Sequence, residues 1–211
     1  MSGADKAVSA PSRVKRLRSP SALALADLAA LFEDLQTTLL CCERLMVELT
    51  SDRPAPDELA HEAYWTTAVL SYARCFATGK RGTGLTEDDI TATRLEGDVL
   101  GWHRALMELR DRYAHASVNP RETFTVGATQ DAGGHADGIA VSSARQPPLD
   151  EVSVRQTGAI AYALSRLVDE RLVGQQGVVF TSVAAMSRPA LDKLPYVELA
   201  SAGEPEGDAG R

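Results

Sequence analysis

With 211 residues, 44% of them hydrophobic and 24% charged, the chain can bury one sizeable domain with tails and has an ordinary globular balance. Its formal net charge of −7 argues against a broad nucleic-acid-coating surface, and no apolar run reaches the roughly 18–20 residues that span a bilayer. Cys41, Cys42 and Cys75 show neither CxxC spacing nor a histidine at ligand spacing, so they read as small core hydrophobes in a reducing, cytoplasmic setting.

The first 20 residues carry Lys6, Arg13, Lys15, Arg16 and Arg18 against one acid, which leaves the remainder near −11. No apolar segment with a cleavage site follows, so residues 1–20 read as a disordered basic arm and not as a signal peptide. From Ser21 onward, Leu25, Leu28, Leu31, Leu35, Leu39, Cys42, Leu45 and Leu49 recur at three- and four-residue steps and predict one long helix. "TSDRPAP" ends it. A second helix is expected from Asp57 to Thr78, closed by Gly79 in a left-handed conformation.

"GKRGTG", Gly79 to Gly84, reads as a flexible basic loop, because it lacks the GK[ST] ending of a phosphate-binding loop. Thr86 followed by Asp89 has the spacing of a capping box and predicts a short helix from Glu87 to Leu95. Asp98 caps a fourth helix from Val99 to about Ala116. "ETFTVGATQ" and "GIAVSSARQ" alternate as strands do, separated by "DAGGHAD", which predicts a hairpin over about 121–146. A further helix is expected from Asp150 to Val173, "GVVFTSV" as one more strand, and residues 176–211 as a partly disordered extension. The sum is an all-α bundle of four to five helices over residues 21–175, with a small β-hairpin inserted between the last two.

The fourth helix carries the chemistry. Val99, Trp102, Leu106, Leu109 and Tyr113 make its core seam, and Leu100, His103, Met107, Arg110 and Ala114 form a second row beside it. Arg110 thus falls at the edge of the buried face, where a charge is costly without an anion or partner. His115 lies about 140° around and some 7.5 Å further along an ideal helix, so one straight helix cannot aim both at a single phosphate. Two devices would solve this: loosening of the last turns before Pro120, or a second copy supplying the other residue across a symmetric dimer. Histidine moves protons near neutral pH, and guanidinium grips phosphate oxygens, a pairing suited to RNA with its 2′-hydroxyl as internal nucleophile and no metal or other cofactor.

The same residues also fit a plain helix end, with Arg110 and His115 complementing the negative pole of the dipole. His103 reads either as a supporting site residue or as a hydrogen-bonded boundary histidine. Asp111 reads as a surface charge or as the group that orients the pair, and Asn119 as a turn residue or a substrate contact. Tyr72 and Arg74 read as core edge and surface, and Trp65 and Trp102 as packing residues.

Arg110-Asp111-Arg112-Tyr113-Ala114-His115 resembles the R-x4–6-H motif of the HEPN superfamily of small helical proteins, in which a polar residue tends to follow the Arg. "VLSYARCF" and "LRDRYAHASVN" also resemble a helix pair of uncharacterised bacterial proteins of this kind. The resemblance implies a metal-independent endoribonuclease of toxin–antitoxin or phage-defence type. Arg110 would be the phosphate clamp and His115 the acid/base, the product would carry a 2′,3′-cyclic phosphate, and the protein would be a homodimer with an antitoxin as a possible partner. Ser117 stands where HepT-type toxins carry a Tyr, so regulation through that Tyr is not implied. Members of the superfamily that have lost activity serve as sensors or scaffolds, which makes a non-catalytic binding or regulatory protein the alternative.

Overall fold

Apolar residues at helical spacing, punctuated by good caps, produce a mostly helical chain. The computed structural model describes residues 13–51, 57–77, 79, 81–115, 122–145 and 149–198. In chain order the elements are β1 (Arg13–Lys15), α1 (Pro20–Leu49), α2 (Glu58–Arg74), α3 (Glu87–Ala92), α4 (Val99–Ala114), β2 (Glu122–Gln130), β3 (Ala136–Arg145), α5 (Glu151–Ala184), α6 (Arg188–Asp192) and β4 (Tyr196–Glu198). Two compact units result, one of Ala26–Val173 and one that joins the chain up to Leu25 to the chain from Gly174.

In the larger unit the core gathers Leu31, Leu35 and Leu45 of α1, Val69 and Tyr72 of α2, Ile90 of α3, Leu106 of α4, and Val154, Leu164 and Val168 of α5. Burial of each large aliphatic side chain contributes roughly 1.5–3 kcal/mol. The start signals act as expected. Asp57 Oδ1 accepts from the Ala60 N–H at 3.0 Å, and Asp98 Oδ1 from the Gly101 N–H at 2.9 Å. Asp89 Oδ2 accepts from the Thr86 N–H at 2.8 Å and from its hydroxyl at 3.2 Å, closing the box that opens α3.

The second helix stops at Arg74, earlier than Thr78, because the chain turns at Cys75 and the Leu85 N–H returns to the Cys75 carbonyl at 2.8 Å. Gly79 does take a left-handed φ of 49°. The following loop, expected to be flexible, is docked on α1. The Gly82 N–H donates to Asp27 Oδ2 at 2.8 Å, and Arg81 Nη2 to Asp34 Oδ2 at 2.7 Å. Asp27 and Asp34 stand seven residues apart, two turns along one face of α1.

β2 and β3 pair antiparallel as the alternation predicted, centred on Val126↔Val141, with a register irregularity at Thr129/Gln130. Phe124, Val126, Ile139 and Val141, between 57% and 72% exposed, lie on one face of this two-stranded sheet. The hairpin separates α4 from α5, and because α6 follows, these are not the last two helices.

In the smaller unit, "GVVFTSV" is helix and not strand: α5 runs on to Ala184. Each added helical residue gains one backbone bond without a new nucleus, so a growing helix overrides the local strand preference of Val and Phe. Arg13–Lys15, expected within a disordered arm, pair with Tyr196–Glu198 in register Val14↔Val197. Lys15 fastens the pair, its Nζ donating to the carbonyls of Asp192 and Leu194, both at 3.0 Å, and sitting 3.8 Å from the centre of the Tyr196 ring. Among the described residues no helix is long and apolar enough to cross a membrane.

Candidate functional site at the end of α4

α4 is held along most of its length. Trp102 Nε1 donates to Thr157 Oγ1 on α5 at 3.2 Å, and Leu106 is fully buried. His103 is buried too, with Nδ1 2.9 Å from the Tyr72 hydroxyl and its ring 4.4 Å from that of Phe76. On the outer side, Arg104 grips Glu87 of α3 with Nε at 3.1 Å and Nη2 at 3.0 Å. That two-pronged contact, helped by Arg104's charge and opposed by desolvation, holds the Glu87 carboxyl below its usual range.

The last turn differs. Arg110 is 32% exposed, its Nε out of solvent and 2.7 Å from Asp111 Oδ1. The Nε–H is not aligned for a hydrogen bond, so the contact is one of charge, and the Nη groups have no partner among the described residues. His115 is the first residue past the helix, exposed, with φ −120° and ψ 138°. Its N–H still reaches the Asp111 carbonyl at 3.0 Å. Asp111 therefore touches both neighbours, Arg110 through its carboxylate and His115 through its backbone.

Of the residues singled out in the sequence, the structure groups Arg110, Asp111 and His115 at one helix end. It does not bring His103 to them: that imidazole belongs to the core, and among the described residues no hydrogen bond or ion pair joins it to Arg110 or His115. Burial above all depresses its proton affinity, with Arg104 assisting and Glu87 opposing. Asn119 lies outside the described residues. Tyr72, read as core edge, is fully buried, and its pairing with His103 was not anticipated. The available signal was Tyr72 on α2 and Phe76 just past its end, four residues apart and both against His103 of the second row of α4.

A second polar cluster also went unread. Asp34, buried on α1, forms an ion pair with Arg74 Nε at 3.1 Å and accepts a hydrogen bond from Arg81 Nη2 at 2.7 Å. A third joins Asp89 to Arg171 of α5. Here burial pushes the Asp89 carboxyl upward, but Arg171 and the two Thr86 donors outweigh it, and the net shift is below the usual range. Both clusters tie the larger unit together. Among the described residues no three His, Cys, Asp or Glu side chains stand close enough to hold a metal ion. Comparison of the chain with protein-family models, curated proteins and solved structures finds no match.

Proposed function

We propose that this chain is a HEPN-like, metal-independent endoribonuclease of toxin or phage-defence type, with Arg110 and His115 as its working pair. The observation that carries the reading is the end of α4. There a guanidinium whose Nη groups have no partner among the described residues and an exposed imidazole share Asp111 as a common neighbour. Because His115 has left the helix, its side chain is not bound to the 140° offset that an ideal helix would impose.

In the proposed reaction His115 removes the proton of an RNA 2′-hydroxyl, whose oxygen attacks the adjacent phosphorus. The bond to the 5′ oxygen breaks, that oxygen takes a proton from water, and a 2′,3′-cyclic phosphate remains. Arg110 stabilises the charge that builds on the phosphoryl oxygens. Asp111 keeps the guanidinium in place.

The test is cleavage of a mixed RNA pool in EDTA by wild type, Arg110→Ala and His115→Ala, each checked for folding. Cleavage lost in both folded variants supports the assignment. RNA left intact by the wild type overturns it and favours a non-catalytic binding or regulatory protein. The apolar face of the β2–β3 hairpin, exposed over four large side chains, is the feature that supports that second reading.

A further inference from the structure

α5 turns a buried arc toward the core, including Val154, Ile160, Ala161, Leu164 and Val168. Its opposite side carries Tyr162, Arg166, Asp169 and Val173, all exposed, with Tyr162 at 59% and Val173 at 63%. Tyr162 and Val173 are eleven residues apart, about 1100° of helix, which leaves them within roughly 20° of one another. Arg166 and Asp169 fall on the same stripe between them. Among the described residues neither Arg166 nor Asp169 has an ion-pair partner, although Arg74, Arg81, Arg104, Arg110, Arg155, Arg171 and Arg188 each pair with a carboxylate.

We propose that this stripe is a self-association surface on which α5 of a second copy lies antiparallel. The argument is one of charge and register. An antiparallel pair with its twofold axis between residues 167 and 168 sets Arg166 opposite Asp169 of the second copy. That same register sets Tyr162 opposite Val173, and the symmetry repeats both contacts. Each charge then meets its opposite and each apolar side chain meets another.

No neighbouring arrangement does this. A parallel pair stacks Arg166 on Arg166 and Asp169 on Asp169, which costs like-charge repulsion. Sliding the antiparallel pair by one heptad sets Asp169 against Val173 in one direction and Arg166 against Tyr162 in the other, and each slide strips the charge of its counter-ion. The stripe is thus complementary to itself in one orientation and one register.

The chain's own remaining segments are poor occupants. Residues 1–12, 52–56, 116–121, 146–148 and 199–211 contain only Met1, Val8, Val118 and Leu199 as large apolar residues, too scattered to line a stripe of three helical turns. A basic or lipid surface would match only one of the two charges.

The test is a charge swap read by sedimentation equilibrium. Arg166→Asp and Asp169→Arg each place like charges together and are expected to weaken dimerisation about tenfold or more. The double variant restores opposite charges and is expected to return dimerisation near the wild-type level. All four residues are exposed, and thermal unfolding followed by circular dichroism confirms that the variants fold. A wild type that stays monomeric up to millimolar concentration overturns the proposal. So does a dimer that neither single reversal weakens, or one that the double swap fails to restore. The readout is assembly and not RNA cleavage, so it stands or falls apart from the nuclease reading.

Discussion

The phenol oxygen of Tyr72 and Nδ1 of His103 lie 2.9 Å apart inside the core, a hydrogen bond that joins α2 to α4. Tyr72→Phe removes one partner and leaves the ring nitrogen unsatisfied, an expected loss of about 1–2 kcal/mol in denaturant unfolding above neutral pH. Burial holds the folded-state pKa of His103 below its unfolded value, near 6.5. Stability tied to this residue is therefore present above that unfolded value and lost as pH falls through the folded one. Unfolding curves from mildly alkaline to mildly acid pH check the sign; a midpoint that rises with acid would contradict it unless His103→Gln shows the same rise.

Asp89 caps α3 and meets Arg171 of α5. Asp89→Ala removes both contacts and is expected to cost about 2–3 kcal/mol, with Asp89→Asn costing roughly half because an acceptor remains. The depressed carboxyl pKa makes this contribution present above about 3.9 and lost as pH falls through the folded value. Acid titration of both proteins measures it. Indistinguishable acid midpoints for wild type and Asp89→Asn would refute the linkage.

Asp34 neutralises two arginines from one buried position. Asp34→Ala is expected to lose about 2–4 kcal/mol, chiefly because Arg81 is left part-buried without its counter-ion. Arg74 is mostly exposed, and Arg74→Ala should cost under about 1 kcal/mol. Comparing the two by chemical denaturation separates the buried half of the triad from the solvated half.

Burial pushes the Cys42 and Cys75 thiols up to about 12, with Cys41 adding to the first and Asp34 to the second. Almost no thiolate exists at neutral pH, so alkylation in the native state is expected to proceed at the rate of opening. Labelling followed by mass spectrometry across a denaturant series tests this. Fast labelling of either cysteine without denaturant would show the core to be locally open.

At the end of α4, the exposed His115→Ala is expected to leave unfolding stability within about 0.5 kcal/mol. Asp111→Ala releases Arg110 Nε and, on the proposed reaction, lowers RNA cleavage about tenfold with a similarly small effect on stability. A helix-end role alone predicts the reverse, a measurable loss of stability and no change in any cleavage.

The sequence by itself determined where most elements begin and how their faces divide. Thr86 with Asp89, and Asp98 with Gly101, cap their helices through contacts three residues long. The alternation of Glu122–Gln130 and Ala136–Arg145 marked the hairpin, and the second row of α4 placed Arg110 at the edge of the buried face. These features depend on neighbours within a turn or across a short loop, so local rules reach them. Only the tertiary structure decided that Arg13–Lys15 pair with Tyr196–Glu198, and that Arg81 and Gly82 rest on Asp34 and Asp27. It also decided that His103 belongs to Tyr72 and not to the end of α4. In each case the partner lies some 30 to more than 180 residues away, and the desolvation that fixes a polar group's role depends on what packs against it from that distance.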